Sequence, residues 1–219
     1  MRYIIRMIMI ALLLSSCTKD VVRGEGPIES VLRTDDIAGT FNTIRINGEA
    51  DIYISYGTTK RLELQAYRNL LPLFETRIQG EKLILEYKDG HRIRNNNIKI
   101  YLTVSFLPNI EVNGNCKVRF TNDFPFQDGL YAEINGSGDI YYPQGDIKNT
   151  RFSINGSGDI NAVDLNSVES TVNISGSGDV KVSVSEKLKV NISGSGKVFY
   201  KGRPLVEQHL SGSGKIISL

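Results

Sequence analysis

A seven-residue motif returns five times in the second half of this chain, and any fold must accommodate it. Ile134-Asn135-Gly136-Ser137-Gly138-Asp139-Ile140 recurs as Ile154-Asn155-Gly156-Ser157-Gly158-Asp159-Ile160 and as Ile174-Ser175-Gly176-Ser177-Gly178-Asp179-Val180. It then returns as Ile192-Ser193-Gly194-Ser195-Gly196-Lys197-Val198 and Leu210-Ser211-Gly212-Ser213-Gly214-Lys215-Ile216. The first glycines are spaced 20, 20, 18 and 18 residues apart. Weaker copies stand upstream at Val112-Asn113-Gly114-Asn115-Cys116-Lys117-Val118 and Ile46-Asn47-Gly48-Glu49-Ala50-Asp51-Ile52. The 66 residues from Gly48 to Gly114 are three times 22, which leaves room for extra coils without a glycine corner.

Glycine reaches positive φ without steric cost, so Gly-Ser-Gly permits a sharp corner. Asparagine ahead of it tolerates left-handed geometry and caps turns. Between corners the sequence alternates, as in Asp179-Val180-Lys181-Val182-Ser183-Val184 and Leu188-Lys189-Val190-Asn191-Ile192, the period of a half-buried strand. Upstream, Arg61-Leu62-Glu63-Leu64, Lys82-Leu83-Ile84-Leu85 and Ile98 to Val104 alternate too. Asn69 to Thr76 has room for a short helical turn. A 20-residue repeat cannot bury its own apolar face, whereas stacked repeats bury a shared column. Three short strands and three corners per repeat make a parallel β-helix, an all-β solenoid. A meander of hairpins is the alternative, but it gives no reason for one loop to repeat so closely.

The start of the chain sets the compartment. Arg2 and Arg6 precede the apolar run Met7 to Leu14, followed by Ser15-Ser16-Cys17. This is the layout of a secretory signal peptide, and the cysteine after small residues resembles a lipobox. We therefore expect residues 1–16 to be a lipoprotein signal peptide, Cys17 to be lipidated, and residues 17–39 to form a tether ahead of a folded domain at 40–219. The expected location is the cell envelope, on the outer membrane, held by the lipid. Loss of residues 1–16 removes two arginines and takes the net charge from +2 to 0. A neutral chain gives no electrostatic reason to expect nucleic acid. Cys116 is then alone, so no intramolecular disulfide forms.

The Gly-Ser-Gly-Asp/Lys copies, each preceded by Ile-Asn, Ile-Ser or Leu-Ser, are similar to the head GIN domain family, also called auto-transporter adhesins. Phe41-Asn42-Thr43-Ile44-Arg45-Ile46-Asn47-Gly48 and Val104-Ser105-Phe106-Leu107-Pro108-Asn109-Ile110-Glu111-Val112-Asn113-Gly114 carry the same resemblance, which spans about residues 40–219. Members are typically lipoproteins or secreted proteins of Bacteroidetes, so the resemblance implies an envelope protein and a right-handed, single-stranded β-helix. It implies no catalytic residues.

Two features merit weighing as sites. Stacked corners would set Asp139, Asp159 and Asp179 ~4.8 Å apart, and a calcium ion could bridge two of them. In water such neighbours repel by only about 0.9 kcal/mol, so no ion is required; backbone hydrogen bonds are the simpler role, and no metal or other cofactor is expected. Tyr141, Tyr142, Phe199 and Tyr200 follow corners, as does Tyr53; within each adjacent pair one ring should point in and one out. Tyr141, Tyr142 and Tyr200 are the candidate ligand face, for a glycan. Cys116 would need a base, and His91 and His209 are the only histidines. Arg92, Arg94 and Asn95-Asn96-Asn97 read as a solvated connection.

These features point to a non-catalytic envelope protein displaying a stacked surface for adhesion or scaffolding, with a glycan or envelope protein as partner. A carbohydrate-active enzyme is the alternative, resting on fold analogy. Ser218-Leu219 directly follows the last corner strand, and terminal coils need caps, so self-association, end to end or side by side, is expected.

Overall fold

The computed structural model describes residues 20–219, which leaves the signal-peptide residues and Cys17 outside the described residues. Among the described residues there is no α-helix, and no helix is long and apolar enough to cross a membrane. The first part of the chain holds β1 (Asp20–Arg23), β2 (Ile28–Leu32), β3 (Thr43–Tyr56), β4 (Arg61–Tyr67), β5 (Phe74–Gln79), β6 (Lys82–Tyr87), β7 (His91–Arg94) and β8 (Lys99–Val104). The repeats supply β9 (Asn109–Phe120), β10 (Gln127–Gly136), β11 (Asp139–Tyr141), β12 (Gly145–Gly156) and β13 (Asp159–Gly176). They end with β14 (Asp179–Gly194), β15 (Lys197–Lys201), β16 (Leu205–Gly212) and β17 (Lys215–Ser218). The expected helical turn after Asn69 is a 3-10 turn at Leu71–Leu73.

Every pairing between repeats is parallel, so the hairpin meander is excluded there. Gly114, Gly136, Gly156, Gly176, Gly194 and Gly212 are successive register partners. Each corner is fastened to the one before by the same bond: the amides of Ser157, Ser177, Ser195 and Ser213 each donate to the preceding first-glycine carbonyl at 2.9 Å. Alternation then sends the same positions inward in each repeat up to β14. Ile110, Ala132, Phe152, Val172 and Val190 form one buried column, and Val118, Ile140, Ile160, Val180 and Val198 another. Each buried aliphatic side chain contributes about 1.5–3 kcal/mol, and columns shared by successive repeats make one continuous core.

The first part of the chain departs from the arithmetic of three extra coils. Gly48 is the direct partner of Gly114, and β3 lies against β9 in register from Thr43–Asn109 to Ile54–Phe120. The intervening residues lay one more parallel layer on the far edge of β3, with β6 along its first half and β8 along its second. They then finish antiparallel: β5 on β6, β4 on β8, and β2 on β4. The alternating segments are the expected strands, but strand period carries no information on partner or direction.

The tether expectation is corrected from Asp20 onward. β1 pairs with β7 in a separate two-stranded sheet, Val22 and Ile93 pack against the core, and Ile37 is fully buried. The Arg33 guanidinium donates to the carbonyls of Phe74 and Leu71, each at 2.8 Å. Two strands of four and five residues are too short to show a period, which is why this segment read as irregular.

The polar run read as a solvated connection is a junction. Asn95, at φ 51, donates to the Gly24 carbonyl at 2.7 Å. Asn96 accepts from the Tyr87 hydroxyl at 2.7 Å and donates to the Glu49 carbonyl at 2.6 Å. Asn97 accepts from the Tyr67 amide at 3.0 Å.

Candidate ligand-binding face

The strand that follows each corner builds two outward rows. The row nearest the corner is charged: Lys99, Asp51, Lys117 and Asp139 are successive partners, Asp139 meets Asp159, and Asp179 meets Lys197 and then Lys215. The Asp179 amide donates to Asp159 Oδ1 at 2.8 Å, and the Lys197 amide to Asp179 Oδ1 at 2.9 Å. These carboxylates thus fasten one coil to the next, and Lys117 and Lys197 close the acidic run at both ends. Among the described residues no group of three or more His, Cys, Asp and Glu side chains converges as a metal site.

The second row lies two residues further along each strand. It runs Tyr101, Tyr53, Arg119, Tyr141, Asn161, Lys181, Phe199 and Ile217, each the register partner of the next. Tyr53 and Tyr101 stack with centroids 5.2 Å apart and planes at 14°. The Arg119 guanidinium lies 5.4 Å from the Tyr141 ring centre, and Lys181 Nζ lies 5.9 Å from that of Phe199, geometries that attract a cation to a ring face. Tyr101 and Tyr141 are exposed, each at 38%. A ring stacked on its cross-strand neighbour turns its edge to solvent. The row therefore offers edges, a guanidinium and an amide at strand spacing instead of a flat stacking platform.

Of the three tyrosines expected on a ligand face, only Tyr141 is there. Tyr142 is buried, stacked on Phe120 at 4.9 Å and tilted against Phe152 at 5.7 Å. Burial drives its phenol well above the ordinary range, and its hydroxyl has no hydrogen-bond partner among the described residues. Tyr200 is half-buried against the core as the partner of Val182. Adjacent strand residues point to opposite faces, so one ring of each pair was bound to be inward, and here it is the second. Sequence reasoning missed Arg119, Asn161 and Lys181, though each stands five residues after the first glycine of its corner. Tyr101 follows no glycine corner and carries no such signal.

The asparagines before the corners bond across coils instead of capping their own turns. Asn113 donates to Asn47 Oδ1 at 2.8 Å, Asn135 to Asn113 at 3.0 Å and Asn155 to Asn135 at 2.9 Å. Asn47 in turn donates to Glu86. Cys116 takes the place of the second corner glycine, opposite Ala50. Its thiol donates to the Gly48 carbonyl at 3.2 Å, and burial pushes it up to about 12, which removes the thiolate a nucleophile requires. An open cleft of about 350 Å³ lies at the first corner, where Glu49 and Asp51 are interleaved with Lys99 and Lys117.

A family model described as "Putative auto-transporter adhesin, head GIN domain" matches residues 40–204. This chain belongs to the head GIN domain family. Three solved structures share its fold. A "putative adhesin" from Bacteroides fragilis is 20% identical over 90% of this chain and 100% of that one, with a TM-score of 0.73. A "putative adhesin" from Parabacteroides merdae is 21% identical over 91% and 99%, with a TM-score of 0.55. A "putative lipid binding protein" from Parabacteroides distasonis is 21% identical over 91% and 100%, with a TM-score of 0.56. No curated protein matches the chain. In this head GIN chain the folded body exceeds the family match at both ends. β1 and β2 precede it, and β16 and β17 follow it in unbroken register with β14 and β15.

Proposed function

We propose that this chain is a non-catalytic lipoprotein of the outer membrane, lipidated at Cys17, which uses the row from Tyr101 to Ile217 as an adhesive face for an envelope glycan. The observation that carries the reading is the row itself, eight side chains in register along the coils. Aromatic edges, an amide and cations at regular spacing, beside a parallel row of four aspartates and four lysines, suit a neutral polymer with repeating hydroxyls. The adhesin description of the family supports envelope association. Coils of 18–22 residues with parallel pairing support a single-stranded parallel β-helix, and the general bias of parallel crossovers supports the right-handed sense. A non-catalytic role is supported by the carboxylates, which bond corner amides or sit among lysines, and by the protonated Cys116 thiol.

The test is binding of the chain from residue 18 onward to immobilised glycans and envelope polymers, with product release followed in the same samples. Saturable binding without turnover is expected, weakened at least about tenfold by the double change Arg119→Ala and Tyr141→Ala, on the order of the 1.4 kcal/mol that a tenfold loss represents. Turnover would overturn the non-catalytic reading, and equal binding by the double variant would remove the row.

The terminal coil supports self-association as part of the same proposal. Val190 has Gln208 as its partner there, and Leu205 and Leu210 are exposed at 68% and 39%. Sedimentation at rising concentration should give a dimer that Leu205→Glu with Leu210→Glu disperses; a monomer throughout would contradict it.

A further inference from the structure

The two-stranded sheet of β1 and β7 carries an arrangement that the adhesive face does not use. In parallel register Val21 partners Arg92, Val22 partners Ile93, and Arg23 partners Arg94. Val22 and Ile93 are the inward pair, packed against the core. Val21, Arg23, Arg92 and Arg94 therefore share the outward side, where Val21 is 56% exposed and the three arginines are exposed. None of the three arginines pairs with a carboxylate among the described residues, whereas Arg45, Arg61, Arg68 and Arg77 all do.

Position along the chain gives this face its partner. Cys17 stands three residues before Asp20, the first residue of β1. Three extended residues span at most about 10 Å, close to the ~8–10 Å over which charges act at physiological salt. An acyl chain on Cys17 would hold β1 within electrostatic reach of the headgroups, with no stalk between them. We infer that the outward face of β1 and β7 is a membrane-docking surface for anionic lipid headgroups, with Arg23, Arg92 and Arg94 as its contacts and Val21 at the acyl boundary. A chain with no net charge after residue 16 has no general attraction to an anionic surface, so three unpaired guanidiniums on one small sheet set the orientation. The stack then starts at the membrane, with the coil of β16 and β17 at its far end.

The inference rests on the lipidation of Cys17, and the two can fail separately. The chain from residue 18 onward, which holds the whole described fold, is titrated with vesicles of phosphatidylglycerol and of phosphatidylcholine. Each exposed arginine near an anionic surface is worth about a fivefold gain in partitioning, so the three should favour phosphatidylglycerol by roughly a hundredfold. High salt should abolish the preference, each Arg→Gln change should lower it about fivefold, and R23E/R92E/R94E should lose it while keeping the wild-type melting curve. A preference that survives the triple change, or none at any salt, overturns the docking surface. Mass spectrometry of the exported full chain reads acylation independently: an unmodified Cys17 removes the anchor while leaving the vesicle result to stand or fall by itself.

Discussion

Gly156→Val is expected to cost at least about 4 kcal/mol of stability, a large share of the roughly 5–15 kcal/mol that holds a domain folded. Gly156 has φ +146, and a Cβ there would lie 2.1 Å from the Gly136 carbonyl oxygen and 2.9 Å from its carbon. Those atoms are main chain, and the same oxygen already accepts the Ser157 amide at 2.9 Å. The corner cannot yield sideways without breaking that bond, and it cannot yield along the stack without lifting the coil from its neighbour. Gly158→Ala probes the second glycine, where the Cβ would fall 2.0 Å from the Gly138 oxygen. Gly129→Ala is the control, because nothing lies within 4 Å of its Cβ, and it should stay within about 0.5 kcal/mol of wild type. Denaturant melts of the three variants decide the matter: a Gly156→Val midpoint near that of wild type would mean that the corners are not in contact.

Phe152→Ala should cost about 3–5 kcal/mol, the second largest effect expected. Phe152 is fully buried between Ala132 and Val172 in its column, with the Tyr142 ring against it and Phe120 beyond. A small residue lies on one side and a rigid ring on the other, so the cavity has little to fill it. Tyr142→Phe should move the other way. It removes a buried hydroxyl with no partner and should be neutral or stabilising by up to about 1 kcal/mol, because an unsatisfied buried polar group carries a desolvation penalty. Both are read as shifts in denaturant midpoint at constant slope. A strongly destabilised Tyr142→Phe would mean that the hydroxyl is bonded after all.

The repeats were legible because each of their positions is written several times. Ile134, Ile154, Ile174 and Ile192 announce a column, and the glycines announce its corners. The path between Gly48 and Gly114 was not, because Arg61 to Leu64 and Lys82 to Leu85 alternate in the same way whether they pair parallel or antiparallel. The N-terminal strands were hidden by their length, at four and five residues, which left residues 17–39 to read as a tether. At the candidate site, alternation correctly foresaw one inward and one outward ring per pair but not which: Tyr141 faces out because the residue before it, Ile140, is locked into the column of Val118 and Ile160. Arg119 and Lys181 carry no aromatic signal of their own, and only their common position five residues after the first corner glycine places them in the row of Tyr141.

The direct contact of β3 with β9 also shapes how the molecule forms. From β10 on, each strand meets a partner 17–22 residues away, whereas Asn47 waits 66 residues for Asn113. Closing the longer loop costs about 1 kcal/mol more in chain entropy and brings its contacts late. Zippering should therefore begin among β10 to β14, with the 39- and 48-residue pairings of β6 and β8 on β3 next and the 66-residue pairing of β3 on β9 last. Lesions in the seam of β3 and β9 would then hasten unfolding while leaving the folding rate nearly untouched.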